Sequence, residues 1–244
     1  MILKPVDNKE PIIKTLQALL KHPKIYPGKK EQIRKELYKL KAGWKNEREA
    51  AYYIDSYLKD SDRTIVLHDL RLKVGDYSVQ IDHLLLHRSS IVILESKFFS
   101  SRLVYDKLND AFLIKDSRGN LKGIPDPRKQ AERQALELRR IIKHLKLESY
   151  LAVNIDYFVL VSPKTVFSGK MPKGIIKADQ IKEKLDSRVD EMSLFEGLKR
   201  TFQYFFKTDK EGLINAGKVL LQYHRPLTAK EVLKRLKLDW VKID

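Results

Sequence analysis

Asp82, Glu95 and Lys97 stand in two of the most apolar stretches of the chain, SVQIDHLLLH (78–87) and SIVILESKFF (90–99). Both stretches read as β-strands, and three charges in core-like strands call for a chemical reason. A hairpin turning through Ser89–Ser90 sets Leu86 across from Ile93, Leu84 across from Glu95 and Asp82 across from Lys97. Side chains alternate along a strand, so all three charges share the face that carries Leu84, Leu86, Ile91 and Ile93. Asp82 and Glu95 become diagonal neighbours, roughly 7–8 Å apart at the backbone, and could grip one small ion between their carboxylates. The plainer account is an Asp82–Lys97 ion pair with Glu95 beside it. Exposed, such a pair contributes about 0–1 kcal/mol. Half-buried, it meets a desolvation cost of several kcal/mol per ion. Two acids and one base leave a negative charge that a divalent cation would offset, which favours a functional site.

The elements around these strands supply further polar groups. A helix over 44–59 places Glu47 in register with Ala50, Ala51, Ile54 and Leu58, the stripe that faces the sheet. A helix opening at Asp126–Pro127 carries the stripe Ala131, Ala135, Leu138, Ile142, Leu145, bordered by Gln130 and Gln134. Arg128, Lys129 and Arg133 belong to its basic face, a solvated surface or a set of phosphate contacts. Upstream, residues 9–41 read as two basic helices broken at HPKIYPGKK, and Gly43 marks a second break. Strands are expected at 64–72, 77–87, 90–99, 102–107 and 111–116. Their short connections predict antiparallel neighbours. A last strand at 155–163, reached through a long helix, should join the sheet parallel to a neighbour. Helices return at 193–207 and 228–240, the latter opening on a capping box, Thr228 with Glu231.

Composition narrows the partners. The 244 residues allow one large domain or a medium domain with extensions, and 43% apolar content argues against wholesale disorder. No run approaches the roughly 20 apolar residues of a membrane span, and MILKPVDNKEPIIK makes a poor signal peptide. A soluble cytoplasmic protein without a membrane partner is the expectation. The absence of Cys excludes disulfides, thiolate metal sites and a Cys nucleophile. Lys and Arg number 49 against 32 acids, a net charge of +17, and residues 1–45 hold 12 of the bases against 4 acids. Such an excess concentrates polyanions, nucleic acid foremost.

The stretches GWKNEREAAYYIDSYL, HDLRL, QIDHLLLH, IVILESK and PRKQ, in that order, resemble the nuclease-related domain (NERD) family, a branch of the PD-(D/E)XK nuclease-like superfamily. The resemblance covers about residues 43–165. Gly43 and Glu47 fit its opening glycine and helix glutamate, Asp82 its IDH aspartate, Glu95 and Lys97 its E-x-K, and Gln130 the glutamine of its following helix. Asn46 stands where the family often has a second glycine, and Ser96 replaces an apolar residue inside E-x-K. The resemblance implies an α/β fold, a restriction-endonuclease-like mixed β-sheet core flanked by helices, with helical extensions at both ends. The expected division is 1–42, 43–170 and 171–244. It further implies Mg²⁺, or Mn²⁺, on Asp82, Glu95 and the Ser96 carbonyl, with Lys97, Glu47 and Gln130 assisting phosphodiester hydrolysis of nucleic acid, DNA favoured. A nucleic-acid-binding module that keeps the fold without cutting is the alternative, and a protein-interaction adaptor using the C-terminal helices is a third.

Overall fold

The computed structural model describes residues 1–87, 89–99, 102–116, 118–151, 154–185 and 209–241. The helix expected at 193–207 lies outside them. The apolar runs become strands β1 (Ile2–Lys4), β2 (Thr64–Val74), β3 (Tyr77–His87) and β4 (Ile91–Ser96), followed by β5 (Arg102–Asp106), β6 (Ala111–Lys115) and β7 (Leu121–Ile124). Beyond helix α3 come β8 (Ile155–Val161), β9 (Phe167–Ser168) and β10 (Ile175–Lys177), α3 itself spanning Pro127–His144. The other α-helices whose two ends both lie among the described residues are α1 (Glu10–Lys21), α2 (Pro27–Leu58), α4 (Lys210–Gln222) and α5 (Ala229–Arg235).

Two sheets form. The larger is mixed, in the order β1-β2-β3-β4-β8-β10, and the smaller is β7-β6-β5-β9. Neighbours joined by short turns pair antiparallel, β2 with β3 and β3 with β4, as the connection lengths predict. β8 arrives through α3 and joins β4 in parallel, as a long crossover requires. β4 and β5 are adjacent in sequence but do not pair. The chain leaves the first sheet after Ser96, and β5 starts a second layer whose core gathers Leu103, Phe112, Val159, Val161 and Ile175.

Alternation along β3 and β4 sorts two cores onto opposite faces of the larger sheet. Leu84, Leu86, Ile91 and Ile93 pack with Ala135, Leu138 and Ile142 of α3 and with Leu213, Ala216 and Leu220 of α4. Leu85, Val92 and Leu94 pack with Ala50 and Ile54 of α2. A third cluster joins α1, the first turns of α2 and α5 through Ile12, Leu16, Leu19, Ile33 and Val232.

Two sequence expectations are corrected here. Gly43 does not break a helix: α2 runs unbroken through it for 32 residues. A single glycine costs a helix only about 1 kcal/mol, which the packing on either side outweighs. The β3–β4 hairpin also closes one residue earlier than expected, with the His87 N–H donating to the Ser90 carbonyl at 2.9 Å. The register becomes Leu84 with Ile93 and Leu86 with Ile91. A shift of two keeps every side chain on its predicted face, because the period is two.

Candidate metal and phosphodiester site

The corrected register changes the relation between the acids. The β3–β4 ladder ends at His83 with Leu94, and one step further brings Asp82 directly across from Glu95 instead of diagonal to it. There the strands part. The Ser96 N–H, instead of pairing with a β3 carbonyl, donates to Asp82 Oδ2 at 2.8 Å. Both acids are buried, Asp82 at 8% exposure and Glu95 at 1%. Glu95 Oε1 meets Lys97 Nζ at 2.7 Å, and its Oε2 accepts a hydrogen bond from Gln134 Nε2 at 2.6 Å. Lys97 is about one-third exposed, so its ammonium reaches solvent while bound to a buried acid.

β2 adds a third acid that the sequence reading did not single out. Asp69 is 4% exposed and has a positive φ of 45°, and it sits between the ladder pairs His68–His83 and Leu70–Ile81 without pairing itself. Asp is one of the few residues that tolerate this conformation, and the break faces the Asp82 position of β3. The fourth acid is Glu47 of α2, buried as its stripe position predicts. Lys9, from the loop before α1, completes the group: its Nζ lies 2.5 Å from Glu47 Oε2 and 3.1 Å from Asp69 Oδ2. The second contact brings the ammonium to a buried carboxylate oxygen of Asp69. Glu47 reaches the site from the α2 face, while Gln134 approaches from the α3 face.

Four acids and two lysines carry a formal charge of −2 when every carboxyl is ionised, in a largely buried setting, and the acids feel one another. Burial, then repulsion from Glu95 and Glu47, push the Asp82 carboxyl well above the ordinary carboxylate range, against the Ser96 N–H and Lys97. Burial and then Asp69 raise Glu47 to about 7, against the opposing pull of Lys9. Burial disfavours the Lys9 ammonium, but Glu47 and Asp69 outweigh it and the lysine is held charged. Among the described residues no group of three His, Asp or Glu side chains converges closely enough to hold an ion unaided. The oxygen donors brought together at the parting of the two strands are the carboxylates of Asp82 and Glu95. That matches a hard dication that keeps several waters and takes the rest of its shell from few protein oxygens and a phosphate.

Behind the acids, on the α2 face of the sheet, runs a buried polar chain that sequence reasoning also missed. Asp55 Oδ1 meets His68 Nε2 at 2.9 Å, His68 Nδ1 meets His83 Nδ1 at 2.7 Å, and His83 Nε2 meets Ser96 Oγ at 2.8 Å. Both imidazoles are fully buried. The Asp55 carboxylate can only accept, which makes His68 Nε2 a donor and, in a neutral ring, His68 Nδ1 an acceptor. His83 then donates from Nδ1 and accepts the Ser96 hydroxyl proton at Nε2. Burial, then His68 and Lys9, push the His83 imidazolium well below its ordinary pKa, in keeping with a neutral ring.

Of the other expected site residues, Gln130 is half-buried, one turn before Gln134, and Gln134 rather than Gln130 bonds Glu95. The buried stripe Ala131, Gln134, Ala135, Leu138 explains the exchange, since Gln134 faces the sheet with the apolar residues. Gln134 Oε1 is a buried acceptor without a hydrogen-bond partner. Arg128 is drawn inward instead of facing solvent. Its guanidinium bonds Asp126 and Asp110, at 2.8 and 2.7 Å from Nη2, and lies over Tyr105 and Phe112, tying the start of α3 to the smaller sheet. Lys129 and Arg133 are exposed.

A family model described as the nuclease-related domain matches residues 42–168, just over half of the chain. No curated protein and no solved structure matches it. No described helix is long and apolar enough to cross a membrane.

Proposed function

The chain belongs to the nuclease-related domain family, and on that premise we propose that it hydrolyses phosphodiester bonds of nucleic acid, DNA in the first instance, at the parting of β3 and β4. The observation that carries this reading is the placing of Asp82 across from Glu95 at that parting, in a buried group where four acids face two lysines. Asp82, Glu95 and the Ser96 carbonyl would hold Mg²⁺, or Mn²⁺ in its place. Such an ion, when bound, supplies Lewis acidity toward the scissile phosphate and lowers the pKa of a coordinated water.

The chain's own groups supply the rest. The Ser96 N–H fixes one oxygen of Asp82, leaving Oδ1 for the ion. Gln134 fixes Glu95 from the α3 side. Lys97, partly in solvent, can turn from Glu95 toward an entering water or a phosphoryl oxygen and offset charge that develops in the transition state. Gln130 and the exposed Lys129 and Arg133 lie along the same helix, where they would meet the substrate backbone. The +17 charge favours approach of a polyanion.

The test is purified wild type against Asp82→Asn on single- and double-stranded DNA and RNA, with Mg²⁺, Mn²⁺ or EDTA. Metal-dependent cleavage by wild type alone is expected. Equal cleavage by both proteins would point to a contaminant. A second reading is favoured by one observation, the lysine that each of Glu47 and Glu95 already carries. Binding without cleavage by wild type on every substrate would establish it: a nucleic-acid-binding module on a nuclease fold.

A further inference from the structure

We infer that Lys9 is a built-in cation of this site, its ammonium filling, between Glu47 and Asp69, the place a second divalent ion would otherwise take, so that the chain binds a single ion beside Asp82 and Glu95. The inference rests on the metal reading above and goes beyond it, since Lys9 lies outside the family match at 42–168.

Three observations carry it. First, the ammonium stands where an ion would stand, within 4 Å of two carboxylates from different elements, α2 and β2, with its side chain only 7% exposed. Second, the ammonium is what the buried Asp69 Oδ2 meets, at 3.1 Å, in a residue whose backbone has left the ladder at φ 45°. Third, the ion pairs fall into two sets. Glu47 and Asp69 share Lys9, whereas at the strand parting Lys97 pairs with Glu95 and is partly in solvent, free to swing away. An ammonium supplies one positive charge and donates only hydrogen bonds, so it neutralises without polarising a water. The Glu47 half is thereby kept out of the chemistry, and the site operates with one ion.

The segment that delivers Lys9 is held to the domain independently of the ion pair. β1 joins the edge of the sheet beside β2, Lys4 Nζ bonds the His68 carbonyl at 2.9 Å, and Trp44 Nε1 bonds the Asp7 carbonyl at 2.9 Å. α1 then anchors Ile12, Leu16 and Leu19 in its own core. Lys9 is therefore positioned by contacts on both sides, which is what a fixed charge needs.

The experiment is Mn²⁺ binding to the full chain, free of nucleic acid, by calorimetry and by electron paramagnetic resonance of free Mn²⁺, for wild type, Lys9→Met and Lys9→Arg. The expected stoichiometry is one ion for wild type and for Lys9→Arg, and two for Lys9→Met, the second with a dipolar-broadened signal from a nearby pair of ions. Thermal unfolding gives the second readout. Lys9→Met should unfold at lower temperature than wild type in EDTA and recover more of that difference on adding Mn²⁺ than wild type gains. If Lys9→Met is recovered unfolded, Mn²⁺ should refold it. Failure to do so, or a single ion in both wild type and Lys9→Met, would overturn the inference while leaving the metal reading in place. Two ions in wild type would likewise overturn it. No ion in wild type would overturn the metal reading and this inference together.

Discussion

Asp82 and Ser96 are joined backbone to carboxylate, the Ser96 N–H reaching Asp82 Oδ2 at 2.8 Å, while the hydroxyl of the same serine is bound on the opposite face of the sheet by His83. One residue thus links the acids to the buried Asp55–His68–His83 chain. Its two bonds are separable by mutation, because only one involves a side chain.

Ser96→Ala should leave the Asp82 contact in place and strand His83 Nε2 as a buried acceptor. The expected cost is about 1–3 kcal/mol of stability, the penalty for an unsatisfied buried polar group. Urea unfolding should detect it, while Mn²⁺ affinity changes less than about threefold. A large loss of metal affinity with stability unchanged would show that the hydroxyl, not the backbone, orients the site.

In the absence of divalent ions the protein should lose stability as pH rises from about 4.5 to 7. Glu47 has its folded-state pKa raised to about 7 from 4.5, so in that window the native state binds the proton that the unfolded state has released. Stability therefore falls with rising pH, by up to about 1.4 kcal/mol per pH unit for one such group. Asp82, shifted in the same direction, adds to the slope. Denaturation in EDTA at pH 5, 6 and 7 measures it, and Glu47→Gln should flatten it. A slope of the opposite sign in EDTA would mean that these acids are ionised and stabilising in the metal-free fold.

Lys97→Ala should retain Mn²⁺ binding and slow cleavage by at least about 10²-fold, the scale on which removal of one transition-state donor is felt. Single-turnover rates at saturating Mg²⁺ separate this from weaker ion binding. A rate restored simply by raising Mg²⁺ would assign Lys97 to holding Glu95 instead.

Arg128→Ala and Arg133→Ala should diverge. Arg128 is engaged by two aspartates and two rings, so its loss should lower stability by about 1–3 kcal/mol and leave the salt dependence of duplex binding unchanged. Arg133 is exposed, and its loss should leave stability unchanged and remove roughly 0.9 from the log–log salt slope if it meets a phosphate. Binding titrations at several salt concentrations decide between them.

What the sequence made legible follows from how far each signal reaches. Charges in apolar strands singled out Asp82 and Glu95, and strand alternation put them on one face, a result that survived because the register moved by two and not by one. The helical stripe placed Glu47 inward, and the crossover rule made β8 parallel. Asp69 carries the same signal as Asp82, an acid inside an apolar run, but a positive φ in the middle of a strand has no local signature when the residue is not glycine. Gln134 sat on the visible α3 stripe and was passed over for Gln130, which fitted the family's spacing. Lys9 has no signal at all in its neighbourhood, since its meaning depends on Glu47 and Asp69, far along the chain. The strands β1, β9 and β10, two or three residues each, are too short to show a period, and the second sheet depends on where the chain turns after Ser96.

Lys9 also has a temporal consequence, because chains fold as they are made, N-terminal parts first. The ammonium is synthesised before any of the four acids, so each of Glu47, Asp69, Asp82 and Glu95 enters a nascent chain in which a compensating cation already waits. The face beneath the acids is covered much later. α4 packs there only after residues 210–222 exist, with Gly217 lying so close over Leu3 that an added Cβ would stand 2.6 Å from its Cδ2. During that interval Lys9 offsets part of the acids' charge while Leu67, Leu70 and Leu72 still lack their α4 cover, so the apolar face of the half-made sheet is the part exposed longest.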